Sequence, residues 1–203
     1  MKRLNINSDQ VNFIGSWNLE NDDLCKDVIS FFENNKDLQH KGITGDGKNS
    51  KAKQTMDISI NPNDLTKDKF KFLCKFMEHL HECYLDYQSQ WPFLSDKIKT
   101  VDIPRFNIQR YLPGDHFSKI HSERCSLGTL HRLFAWMTYL NDVDEGGTTN
   151  FTHYDLSIKP EIGKTLIWPA EWTHAHNGEI LNSGLKYIVT GWMHFPYDEN
   201  KDL

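Results

Sequence analysis

The chain has 203 residues, enough for one domain to bury its core without disulfide staples, and 12% of them are aromatic. Its 23 Lys and Arg stand against 28 Asp and Glu, a formal charge of -5 with the two signs interspersed, which argues against a broad nucleic-acid-binding surface. Cys25, Cys74, Cys83 and Cys125 form no Cys-x-x-Cys pair and no apolar run approaches a membrane span, so the reading is one cytoplasmic domain, 1–203, with no membrane attachment.

In chain order, Val11, Phe13 and Trp17 alternate and suggest an edge strand within the first 20 residues. Asn21-Asp22-Asp23 supplies helix caps, and Leu24, Val28, Phe31 and Phe32 follow at helical spacing, so a helix is expected over about 22 to 34. Residues 41 to 53 hold three glycines and are rich in lysine, which predicts a loop. Such a loop is a solvated connector on composition alone, and a lid if it borders a site. Thr55 to Ile60 reads as a short strand. A long helix then opens at Asn63 or Asp64, carries Phe70, Leu73, Met77, Leu80 and Tyr84 on one face, and ends at about Gln90, before Pro92.

After Lys99 the texture becomes strand-like. Strands are expected at 101–111, 117–123, 131–140, 148–154, 156–158, 165–168, 173–176 and 185–195, divided by turn residues such as Pro113-Gly114-Asp115 and Asn177-Gly178. The fold class is therefore mostly β with some α: a jelly roll over about 101–195, buttressed by N-terminal helices over about 20–95.

Two histidine-bearing segments stand out. In extended backbone, side chains alternate faces, so His121 and Glu123 emerge on one side, as do His174 and His176. Two histidines and a carboxylate form a set that binds non-haem Fe(II) while leaving coordination positions open. Taken alone, His-x-Glu is weak, because a solvated strand face gives the same pattern. His79, His81, His116, His131, His153 and His194 lack ligand spacing and are expected to be structural or exposed. Trp168 and Trp192 are expected in the core, Arg110 and Arg132 in surface pairs, and Lys164 in solvent.

Several motifs recur in one order: Arg110-Tyr111-Leu112-Pro113-Gly114, His121-x-Glu123, Tyr139-Leu140-Asn141-Asp142-Val143, Glu145-Gly146-Gly147-Thr148-Thr149-Asn150-Phe151, Gly163-Lys164-Thr165-Leu166-Ile167-Trp168-Pro169, His176-x-Gly178, and Lys186-Tyr187-Ile188-Val189-Thr190-Gly191-Trp192. Over roughly residues 101 to 195 this resembles the Fe(II)/2-oxoglutarate-dependent dioxygenases, in particular the prolyl 4-hydroxylase-like branch. The resemblance implies a double-stranded β-helix and an iron held by His121, Glu123 and His176, with His176 chosen over His174 by its ten-residue distance to Lys186. It also implies 2-oxoglutarate as co-substrate, its far carboxylate on Lys186 with Tyr111 and, more weakly, Thr190 beside it.

The implied reaction consumes O2, releases succinate and CO2 and hydroxylates a peptide, protein or small molecule, a prolyl residue being the first choice, with ascorbate as an accessory reductant. Most of the family uses His-x-Asp, so Glu123 is a departure. The rivals are a cupin-like metal-binding protein without oxygen chemistry, which has no use for Lys186, and a zinc hydrolase, disfavoured because no His-Glu-x-x-His helix occurs. Nothing in the residues bears on oligomeric state.

Overall fold

The computed structural model describes residues 1–6, 11–43 and 51–196. In chain order the elements are β1 (Lys2–Arg3), β2 (Gly15–Asn18), α1 (Asp22–Asn34), β3 (His40–Lys41), β4 (Met56–Ile60), α2 (Phe72–Gln90), α3 (Pro92–Lys97), β5 (Phe106–Tyr111), β6 (Phe117–His121), β7 (Arg132–Tyr139), β8 (Thr149–Phe151), β9 (Leu156–Ile158), β10 (Lys164–Pro169), β11 (His176–Gly178) and β12 (Lys186–His194). The strands make an eight-stranded sheet, β1-β2-β10-β7-β12-β5-β4-β3, and a four-stranded sheet, β6-β11-β8-β9. Every pairing in both is antiparallel.

Alternation along the large sheet sorts side chains into two cores. On one face Ile58, Ile60, Phe106, Ile108, Phe134, Trp136, Ile167 and Val189 pack with Leu24, Val28 and Phe32 of α1 and Leu73, Phe76, Leu80 and Tyr84 of α2. Side chains of the opposite face, among them Tyr111, Met137, Tyr139, Leu166, Trp168 and Ile188, meet Phe151 and Ile158 of the small sheet. The helices thus stiffen the sheet from behind and leave its other face for the site. Among the described residues no helix is long and apolar enough to cross a membrane, and all four cysteines are free.

Helix α1 has the expected bounds, with the Asn21 side chain accepting from the Leu24 N–H at 3.2 Å. The first 20 residues differ from expectation. The strand is confined to Gly15–Asn18 and lies inside the sheet, between β1 and β10, while Val11 is exposed and Phe13 has φ 54°.

The long helix opens later than expected. Asp64 accepts from the Asn61 backbone N–H at 2.9 Å, closing a 3-10 turn over Pro62–Thr66, and a second turn follows at Asp68–Phe70 before α2 starts at Phe72. Short Asn and Asp side chains compete for backbone groups in this way. Beyond Gln90, Pro92 opens the short α3, since proline suits a first helical position. Of the 41–53 stretch, residues 44–50 and the lid expectation that goes with them lie outside the described residues; Ala52 and Lys53 are buried.

Candidate metal centre

His121, the last residue of β6, and His176, the first of β11, are direct cross-strand partners, with ring centroids 4.4 Å apart. The Nδ1 of His121 lies 2.8 Å from the Lys119 carbonyl, and that of His176 lies 2.8 Å from the His174 carbonyl. A carbonyl only accepts, so each Nδ1 carries the hydrogen and each Nε2 keeps a lone pair. Phe117 stacks on His121 at 3.9 Å and Trp168 meets His176 edge-on at 5.1 Å, which restrains both rings.

Glu123 lies beyond the end of β6, in a bend, so strand alternation is not what brings it to His121. Its Oε1 is 3.5 Å from both His121 Nε2 and His176 Nε2, and one ligand atom from each of the three residues lies within 4.8 Å of the others. Its Oε2 accepts from Trp192 Nε1 at 2.6 Å. Arg132 stacks on the Trp192 ring at 3.8 Å and donates to the Glu123 carbonyl at 3.0 Å. Burial opposes ionisation of Glu123, yet the facing His121 and His176 rings, which donate to it whenever Nε2 also carries a proton, outweigh it and hold the carboxyl well below the usual range. Two neutral imidazoles and one carboxylate, converging and oriented from behind, fit a divalent first-row metal such as Fe(II).

His174 does not join this set. Residues Trp172–His174 form a 3-10 turn instead of a strand, and the His174 ring bonds the Asn12 carbonyl through Nε2 at 2.7 Å and Thr173 Oγ1 through Nδ1 at 3.0 Å. Burial lowers its pKa. Its contribution to the centre is its carbonyl, which orients His176.

Lys186 begins β12 and is 3% exposed. Its Nζ donates to the Gly147 carbonyl at 2.5 Å and lies 5.0 Å from the Tyr111 ring centre and 5.5 Å from that of Tyr139. Gly147 adopts φ 67°, a conformation that favours glycine. Burial pulls the Lys186 pKa down to about 7, with Glu179 opposing weakly. Tyr139 donates to Thr149 Oγ1 at 2.6 Å, Tyr111 to Gln109 Oε1 at 3.0 Å, and Thr190 to the Trp136 carbonyl at 2.9 Å. Lys186, Ile188, Thr190 and Trp192 alternate onto the inner face of β12, so one strand links the lysine to the carboxylate.

Three expectations are corrected here. Trp192 is not simply core, because its indole N–H binds Glu123. Arg132 sits beside that carboxylate instead of in a surface pair. Lys164 is held by Glu161 at 2.6 Å and is not free in solvent. Tyr139, Thr149 and Gly147 were motif residues without an assigned contact, and only β7 lying next to β12 brings Tyr139 to Lys186. Trp168 is in the core as expected, and Arg110 pairs with Glu33 at 2.8 Å. His116, His131, His153 and His194 stay outside the ligand cluster.

The geometry first defines a class: an antiparallel two-sheet protein with a two-histidine, one-carboxylate candidate metal centre and a buried lysine behind it. Residues 106–194 match the family model of the 2OG-Fe(II) oxygenase superfamily. The human prolyl 4-hydroxylase subunit alpha-1 is 26% identical over 98 residues, covering 45% of this chain and 17% of that protein. The chain therefore corresponds to a small part of that relative.

Among solved structures, a prolyl hydroxylase from Trichoplax adhaerens in complex with a hypoxia inducible factor oxygen degradation domain peptide fragment superposes with TM-score 0.70 at 13% identity, covering 91% of this chain and 84% of that one. The viral collagen prolyl hydroxylase of Paramecium Bursaria Chlorella virus-1, in its 2OG complex, gives TM-score 0.64 at 17% identity, covering 91% and 97%.

Proposed function

We propose that the protein is an Fe(II)- and 2-oxoglutarate-dependent hydroxylase, a single domain in which the two sheets form a double-stranded β-helix, acting on a prolyl residue of a peptide or protein. The observation that carries this reading is the pairing of the triad with Lys186. A buried ammonium with no described carboxylate in ion-pair contact is costly unless an anion joins it, and a plain metal-binding protein has no such anion to place. Fe(II) with 2-oxoglutarate would supply oxidative decarboxylation of the co-substrate to succinate and CO2 coupled to hydroxylation by O2.

The residues have separate tasks. His121, Glu123 and His176 would hold the iron on one side, leaving the other to ligands. Lys186, fixed by the Gly147 carbonyl, would receive the far carboxylate of 2-oxoglutarate, with Tyr111 and Thr190 lining the same face. Trp168, Phe151 and Ile188 keep water out of the space between the sheets. A peptide substrate is favoured by the likeness to prolyl hydroxylases, one of them holding a peptide fragment. The four free thiols fit a reducing compartment such as the cytoplasm.

The test is NMR observation of 2-oxoglutarate in air with Fe(II), ascorbate and proline-containing peptides. Succinate should form, faster when a hydroxylatable peptide is present. No succinate under any of these conditions would overturn the reading.

A further inference from the structure

A short strap near the start of the chain reaches the metal side of the molecule. Asn12, Phe13 and Ile14 lie just before β2, far in sequence from the 106–194 stretch that carries the ligands. The Asn12 carbonyl accepts from His174 Nε2 at 2.7 Å, and the next carbonyl, that of Phe13, accepts from the hydroxyl of Tyr87 in α2 at 2.7 Å. The torsion that relates these two successive carbonyls is φ of Phe13, which stands at 54°. That conformation is costly for a residue with a Cβ. Three contacts hold it. Asn12 Oδ1 accepts from the Ile14 N–H at 3.0 Å, the Phe13 ring lies 4.7 Å from that of Trp91 just past α2, and Ile14 is buried in the core between the sheets.

The strap decides how His174 is used. A carbonyl only accepts, so His174 Nε2 carries a hydrogen, while Nδ1 faces the Thr173 hydroxyl at 3.0 Å and Tyr154 packs on the ring at 5.2 Å. With both nitrogens engaged, the ring is a tether and not a ligand. The carbonyl of the same residue, at the end of the 3-10 turn Trp172–His174, receives the His176 Nδ1–H at 2.8 Å. A relay thus runs from α2 through Phe13 and Asn12 to His174, and from there to a metal-facing imidazole.

We propose that the Asn12–Ile14 strap, held in a left-handed bend at Phe13, is a positioning device for the metal centre: it anchors the His174 ring so that the His174 carbonyl fixes the plane of His176. The inference rests on the reading of His121, Glu123 and His176 as a metal centre.

The experiment is proton NMR and metal titration of the Co(II)-loaded protein. The Nδ1–H groups of His121 and His176 should each give a paramagnetically shifted, exchangeable signal, so the centre reports on its two rings separately. His174→Leu removes the tethering donor while filling the space, and His174→Gln returns an N–H near the same place. The leucine variant should bind Co(II) about three- to tenfold more weakly, less than the loss of a direct partner of a ligand costs. One exchangeable signal should shift and exchange faster while the other stays in place, and the glutamine variant should bring affinity and signal back toward wild type. Phe13→Val is remote from the ligands and disfavours the left-handed bend through its branched Cβ. It should give the same signature and add little to His174→Leu, since the two changes break one relay. A merely structural strap gives lower thermal stability with Co(II) affinity and both signals unchanged in all variants, and that result overturns the proposal. Should Phe13→Val fail to fold, the contrast between leucine and glutamine at position 174 decides alone. Wild-type protein that binds no Co(II) would overturn the metal-centre reading as well, whereas wild-type binding with unaltered variants overturns the strap alone.

Discussion

Lys186 is a cation placed where cations are unstable, and its protonation should govern co-substrate binding. In the ligand-free protein burial holds its pKa at about 7, against roughly 10.4 for an unfolded chain. Between those values the unfolded chain binds a proton that the folded one does not, so the contribution of this residue to stability rises with pH across that window. Binding has the opposite sign: the far carboxylate favours the ammonium, which is scarce above about pH 7. Affinity for 2-oxoglutarate should therefore fall as pH rises from about 7 to about 9, with proton uptake on binding, visible by calorimetry in buffers of different ionisation enthalpy. A flat profile without proton uptake would contradict the role of Lys186. The lysine itself was legible in the sequence, through its distance from His176 and the motif around it. Its surroundings were not, because Gly147, Tyr139 and Tyr111 come from three other segments that only the strand pairing assembles.

Among the elements, the end of β6 explains how Glu123 reaches the candidate metal centre. The strand ends at His121, so Glu123 stands in a bend and is fixed by side chains from β7 and β12. One carboxylate oxygen faces both histidines while the other is taken by Trp192. A hydrogen bond to a charged group is worth about 1.5–3 kcal/mol. Trp192→Phe should therefore weaken Co(II) binding about tenfold or more and perturb the visible d–d bands of the bound ion, without loss of the fold. Unchanged affinity and spectrum would mean that the indole N–H does not position the ligand.

The pattern of apolar residues located most of these elements. Helix α1 and β9 have the expected bounds, since a capped 3.6-residue period and a three-residue apolar-polar-apolar run are local signals. The errors fell where local polar bonding overrides periodicity. Asn61 and Asp64 built a turn ahead of α2, and Trp172–His174 coiled into a 3-10 turn, which is why His174 and His176 do not share a face.

For the whole molecule, two cores separated by one sheet account for both rigidity and function. The helices cover one face, the candidate site occupies the other, and the strand bearing Lys186 also carries Trp192 to the Glu123 carboxylate. The mostly antiparallel β architecture with helices behind it was legible from strand spacing, because alternating and helical periods switch near Lys99. The order of strands was not, since an antiparallel neighbour such as β10 beside β2 lies far away in sequence.

The most direct test of the account is anaerobic addition of Fe(II) and 2-oxoglutarate to metal-free protein while recording the metal-to-ligand charge-transfer absorption. The band should appear with wild type at one equivalent of each, persist in His174→Ala, and be absent from His176→Ala. No band in wild type, or its equal loss from both variants, would contradict the central claim that His121, Glu123 and His176 hold the iron on which 2-oxoglutarate binds.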